Sequence, residues 1–262
     1  MPPTDRYRIN GHWLETVRIP ARDSTLPTIV MLHEGLGSVA HWKDFPLNVA
    51  EETGAGVFLY SRYGHGASDA LEEPRTVSYM HHEAQAVLPE ILQRAGIERP
   101  LLLGHSDGAS IAIIYAGTFP GSPAGLILEA PHVLVEDITV SSIAQAKVVY
   151  EETDLPQRLG RYHENVDSVF WGWNNIWLDP RFRDWNIESF LDTVRCPVLV
   201  LQGAQDEYGT VQQMEAIQRR IPTASAVLLE NCKHAPHRDR RDAVLSAIDS
   251  FLGRLARPMA AG

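Results

Sequence analysis

The chain predicts an α/β fold, a mostly parallel sheet flanked by helices with a helical segment inserted late in the strand order. Three observations predict it. Short apolar runs alternate with helical segments along most of the 262 residues. Those runs, such as PTIVMLH and PVLVLQG, are apolar on both faces, as strands covered by helices on both sides must be. From about residue 133 to 190 the alternation stops, and helical segments rich in charge and aromatic rings replace it.

RYRIN and HWLETVRI flank Asn10-Gly11. Asn and Gly tolerate positive φ, so this pair predicts a hairpin that adds antiparallel strands at one edge. PTIVMLH (27–33) reads as a buried strand, and SVAHWKDFPLNVAEETG as a helix ending at Gly54. GVFLYSR (56–62) is the next strand. VSYMHHEAQAVLPEILQRAG (77–96) is a long helix with a bend expected at Pro89. LLLGH is a strand, ASIAIIYAG a helix and GLILEA (125–130) a strand. After the insertion come the strand PVLVLQG (197–203), a helix near VQQMEAIQRR, the strand AVLLE (226–230) and a last helix from about 240 to 256. The expected division is a core of residues 1–132 and 191–262, with a helical cap over 133–190.

Composition bounds the function. With 44% hydrophobic and 21% charged residues, the chain is an ordinary globular domain that can bury a sizeable core without disulfides. A net charge of −10 and the lack of a basic run exclude a nucleic-acid partner, because a phosphate backbone would be repelled. Cys196 and Cys232 make no Cys-x-x-Cys pair. His33, His41, His65 and His163 form no metal spacing, and no metal or cofactor is expected. The first residues lack a signal-peptide core, and no segment approaches ~18 consecutive apolar residues. A cytoplasmic protein without a membrane partner is the expectation.

One short stretch carries chemistry. Gly104-His105-Ser106-Asp107-Gly108 directly follows a buried strand and directly precedes a helix. Gly-x-Ser-x-Gly in that setting is a nucleophile elbow, a tight turn that lifts the serine hydroxyl above the sheet edge. A serine needs a base, and the base needs an orienting carboxylate, in the chain order Ser, acid, His. Asp206 follows PVLVLQG on a strand-end loop, with Glu207 as its neighbouring rival. His234 follows AVLLE on another such loop, with His237 as the rival in KHAPH. In parallel sheets these C-terminal loops meet in one crevice. The N–H of Asp107, at the start of the new helix, is well placed for an anion.

With those residues in view, the chain resembles the α/β-hydrolase superfamily over nearly its whole length. MLHEGLGS is similar to the family's His-Gly motif, YSRYGHGASD to its D-R-P-G-x-G-x-S-D loop, LQGAQDEYG to its acid-bearing loop, and NCKHAPHRD to its G-H-x-P-H-x-E. The resemblance implies Ser106 as nucleophile, Asp206 as acid and His234 as base. It implies an oxyanion hole from the N–H groups of Asp107 and Gly35, with Leu36 adjacent. Two departures stand out. Glu34 occupies a position where the family has glycine, and it stands either near the substrate or turned outward. Ser61 replaces a frequent aspartate.

Four of the six tryptophans, Trp171, Trp173, Trp177 and Trp185, fall within fifteen residues of the insertion. They read either as cap packing or as an aromatic pocket roof, and Trp171, Trp173 and Trp177 are taken as pocket residues beside Glu34 and His132. The expected activity is hydrolysis of a carboxylic ester or lactone of a small apolar or aromatic molecule through an acyl-enzyme. Thioester or carbon–carbon bond hydrolysis, and slow-turnover binding of a small-molecule signal, use the same parts. Relatives pair through cap and edge surfaces, which makes a homodimer the assembly that the resemblance allows.

Overall fold

A computed structural model of the chain describes residues 2–256. Eight strands form one sheet: β1 (Asp5–Ile9), β2 (His12–Ile19), β3 (Ile29–Leu32), β4 (Val57–Tyr60), β5 (Leu101–His105), β6 (Gly125–Glu129), β7 (Val198–Gly203) and β8 (Ser225–Leu229). Their order is β1-β2-β4-β3-β5-β6-β7-β8. The hairpin forms as the sequence predicts, with Asn10 and Gly11 at φ 47° and 90°. β2 runs antiparallel to both of its neighbours, and β3 to β8 are mutually parallel.

The period of two in each strand divides the core in two. Val30, Phe58, Leu102, Leu128 and Val200 belong to one buried cluster, and Met31, Leu59, Leu103, Ile127 and Leu201 to the other. Alternate side chains point to opposite faces, so a strand must be apolar throughout when helices cover both sides. The edge strands are the exceptions: in β1 only Ile9 is buried, and in β8 Val227 and Leu228 are exposed.

One helical expectation is corrected and another gains detail. The segment 38–53 is a short 3-10 turn (Ala40–Trp42) followed by a separate helix, Phe45–Thr53. Lys43 at φ 56° breaks the path, and Pro46 sits in the new helix's first turn, where its missing N–H costs nothing. The segment 77–96 runs as one helical path from Tyr79 to Ala95, with a π-helical turn at Glu83–Val87 just before Pro89. Widening the turn there accommodates a residue that cannot donate and whose ring crowds the preceding carbonyl.

Between β6 and β7, the helices Asp137–Glu152, Leu155–Leu159, Val166–Trp177 and Glu188–Leu191 replace the strand–helix alternation. Cys196 and Cys232 are free thiols. Among the described residues no helix is long and apolar enough to cross a membrane. Because β3 and β5 to β8 are parallel, the loops after Leu32, His105, Glu129, Gly203 and Leu229 all leave the same sheet edge. The site is built there.

Candidate active site

Ser106 links β5 to the helix Asp107–Thr118 at φ 53°, ψ −115°. A positive φ on a residue with a Cβ is strained and persists only where its surroundings impose it. Here backbone contact imposes it. A Cβ on Gly104 would lie 2.3 Å from the Gly108 carbonyl oxygen, and one on Gly108 would lie 2.0 Å from the Leu32 carbonyl oxygen. Only glycine lets strand, turn and helix approach so closely. The Ser106 N–H donates to the Glu129 carbonyl at 2.9 Å, which ties the turn to β6.

The two later loops converge on this serine. His234 Nε2 lies 2.9 Å from Ser106 Oγ. His234 Nδ1 lies 2.8 and 2.9 Å from the two Asp206 carboxylate oxygens. Asp206 in turn accepts from Gln202 Nε2 at 2.7 Å and from the N–H of Tyr208 at 2.8 Å. Burial alone would raise the Asp206 carboxyl, but the His234 bond and charge and the Tyr208 N–H hold it below its ordinary value. Burial would likewise lower His234. Asp206, with smaller contributions from Glu34 and Glu207, outweighs burial and raises it. This pairing puts the imidazole proton on Nδ1 and leaves Nε2 free to accept from the serine.

The rivals are placed elsewhere. Glu207 offers its carboxylate only to the His234 backbone N–H, at 3.3 Å. His237 is buried against Glu129, with Nδ1 2.7 Å from Oε2.

Gly35 and Asp107 line the same cavity as Ser106. Among the described residues neither of their N–H groups donates to a protein acceptor. The Leu36 N–H is committed to Glu34 Oε2 at 2.6 Å, so of Gly35 and Leu36 only Gly35 keeps an N–H without a protein acceptor among the described residues. A Cβ on Gly35 would lie 2.2 Å from Trp173 Cδ1, which leaves only glycine beneath that ring. Glu34 lines the cavity too, with Oε1 3.2 Å from His41 Nδ1. Burial pushes its carboxyl up, yet His41, His105 and the Leu36 N–H together hold it well below its ordinary range. Glu34 is therefore a fixed negative charge at the site. Burial raises the Asp107 carboxyl, against the opposing pull of Arg62 at 3.8 Å and of the Tyr79 hydroxyl, which donates to it at 2.7 Å.

The cavity has a volume of about 180 Å³. Trp173, Trp177, Ile143 and Tyr208 form much of its wall, and His132 joins them. Burial lowers the His132 pKa to about 3, so its ring is neutral. His132 Nδ1 and Trp177 Nε1 are buried polar atoms without a protein partner. Trp171 is the expectation that fails. It stacks edge-on against Tyr150 and Phe170 and lines a different groove, beside Leu71 and Arg75. The reason is helical geometry: positions 173 and 177 are four apart and share a face, whereas 171 and 173 lie ~200° apart. Sequence reasoning also missed Tyr208, Thr139, Ile143 and Arg238. Tyr208 alone carried a signal, two residues after the acid; the others come from helices whose facing only the fold decides.

Comparison with known proteins follows the same line. The chain is 26% identical to the sn-1-specific diacylglycerol lipase ABHD11 of Mus musculus, over 88% of this chain and 82% of that protein. It is 24% identical to a proline iminopeptidase of Saccharolobus solfataricus, over 87% and 85%. The enol-lactonase from Burkholderia xenovorans LB400 superposes with a TM-score of 0.74 at 19% identity, over 95% of this chain and 100% of that one. The sequence profile of the alpha/beta hydrolase family matches residues 29–247, and the chain belongs to that family.

Proposed function

We propose that this hydrolase cleaves a carboxylic ester or lactone of a small apolar or aromatic substrate, through an acyl-enzyme on Ser106. The carrying observation is the continuous path from Ser106 Oγ through His234 to Asp206, opening onto a cavity walled by Trp173 and Trp177. His234 Nε2 takes the hydroxyl proton as Oγ bonds to the acyl carbon. The amides of Gly35 and Asp107 hold the oxyanion, and each such donor contributes about 3 kcal/mol in comparable sites. His234, now an imidazolium steadied by Asp206, gives its proton to the departing oxygen. Water then enters, loses a proton to the same Nε2 and releases the acid.

The cavity favours a compact acyl group. The helices of 133–190 supply the tryptophan wall, and we read them as a cap over the site.

Labelling with a fluorophosphonate, followed by peptide mapping, tests the mechanism. One adduct, on Ser106, is expected, and turnover of aryl esters and lactones should reach hundreds of cycles. No adduct on folded protein, or only one or a few turnovers, would replace the reading with small-molecule reception.

A further inference from the structure

We propose that a second cavity, between the β1–β2 turn, the loop 63–76 and the helical path from Tyr79, binds a small apolar carboxylate that slows catalysis at Ser106. The slowing rests on the hydrolase reading above; the binding does not. This cavity has a volume of about 610 Å³ against about 180 Å³ beside Ser106, within the range of small-molecule sites. Ile9, Leu14, Leu71 and Val87 give it apolar walls, and the His12 ring stacks on Tyr63 with centroids 3.9 Å apart.

Arg75 supplies the charge. It lines the cavity and makes no ion pair among the described residues. Its guanidinium lies 5.2 Å from the Tyr79 ring centroid. The carboxyl groups nearby are otherwise engaged. Glu83 accepts from the Tyr60 hydroxyl at 2.6 Å, and the exposed Glu73 lies 3.3 Å from the Tyr63 hydroxyl. A guanidinium that makes no short ion pair, with Asp107 and Glu83 acting on it only from farther away, and that is set in largely apolar walls, is complementary to the carboxylate of an apolar acid. The product of ester or lactone hydrolysis is such an acid.

The same Arg75–Tyr79 pair is connected to both residues assigned to the oxyanion hole, Arg75 to Gly35 through His65 and Tyr79 to the Asp107 carboxyl directly. Arg75 Nη2 donates to the Tyr63 carbonyl at 3.2 Å and reaches His65 Nδ1 at 3.3 Å; with Nδ1 accepting from Arg75, the ring proton goes to Nε2, although Nδ1 also lies 3.2 Å from the Tyr63 carbonyl. His65 Nε2 then donates to the Gly35 carbonyl at 3.1 Å. Burial, reinforced by the charge of Arg75, holds His65 neutral. On the other side the Tyr79 hydroxyl donates to Asp107 Oδ2 at 2.7 Å. A carboxylate that draws the guanidinium toward itself loosens His65, and with it Gly35, and shifts the ring that orients Asp107. The expected result is a fall in kcat with KM unchanged.

The test titrates 4-phenylbutanoate into the full chain, with 4-phenylbutanamide as the uncharged control. Calorimetry should show binding of the acid, at least tenfold weaker binding of the amide, and loss of acid binding in Arg75→Gln and in the cavity-filling Ala86→Phe. The amide NMR signals of Gly35 and Asp107 should shift on binding, and kcat on an aryl ester should fall about fivefold at saturation. Each variant is compared with its own unliganded rate. Absence of acid binding, binding indifferent to both substitutions, or purely competitive inhibition would overturn the proposal. Binding with still Gly35 and Asp107 signals would overturn the coupling. If no ester is turned over, calorimetry and NMR still decide this site while the hydrolase mechanism alone fails.

Discussion

Ser106 is held in a conformation that costs about 1–3 kcal/mol, and the Gly104 and Gly108 backbones enforce it by approaching too closely for any side chain. That is why the pentapeptide was legible in the sequence: its spacing encodes a steric requirement. Ser106→Ala should fold and lose activity by about 10⁴-fold or more; near-native ester hydrolysis by the folded variant would remove the mechanism. Glu34 was readable only as a departure from a motif, because its role depends on which amide its carboxylate reaches. It caps the Leu36 N–H and places a negative charge near His234. In the proposed mechanism His234 must be neutral to act as base, and its pKa is raised, so kcat/KM should fall as pH drops through a midpoint above the ordinary imidazole value. Glu34→Gln keeps an acceptor for Leu36 but removes the charge, which lowers the His234 pKa. The acid limb of the pH–kcat/KM profile should move to lower pH. A limb that stays in place would show that His234 does not feel this carboxylate.

The helix Val166–Trp177 shows what an element decides. Its tryptophans are alike in composition, but only those sharing a face with Trp173 reach the cavity. Trp173→Phe should change kcat/KM between small and bulky acyl esters by about tenfold or more, because a cavity wall is lost. Trp171→Phe should leave the ratio within about twofold, because that ring lines another groove. Steady-state kinetics on a graded ester series checks both, and equal effects would mean that the face assignment is wrong. The periodicity of residues 77–96 predicted a helix correctly and Pro89 a disturbance. The disturbance includes a π turn at Glu83–Val87, immediately before the helix that carries Pro89.

At the scale of the molecule, buried neutral histidines govern acid stability. His33, His65, His105 and His132 are each at most 4% exposed. Burial is the leading cause that lowers the pKa of all four. In the unfolded chain they titrate near 6.5, so below that pH the unfolded state binds more protons and stability falls with pH. Each should cost about 1 kcal/mol between pH 6.5 and 5.5. His234, with its raised pKa, works in the opposite direction: its contribution is present below pH 6.5 and is lost as pH rises through its folded value. Urea midpoints measured from pH 7.5 to 5.5 should therefore fall steeply below 6.5. A flat profile would show that these rings are protonated or solvated.

The sequence by itself determined the strands, their parallel arrangement, the hairpin and the strained serine turn, because each rests on a local rule: apolar runs, turn residues with positive φ, and glycines forced by contact. It also determined that an aspartate and a histidine would follow the right strands. Only the tertiary structure places Asp206 rather than Glu207 at the His234 ring, brings His234 rather than His237 to Ser106, and commits the Leu36 N–H but not the Gly35 N–H to a protein acceptor. Neighbours in sequence differ there only in which side chain or amide faces the crevice, and that is set by β5 lying between β3 and β6 and by the helices laid across them. The cavity around Arg75 belongs wholly to that level, since residues 9, 63, 75, 79 and 87 meet only after the sheet has formed.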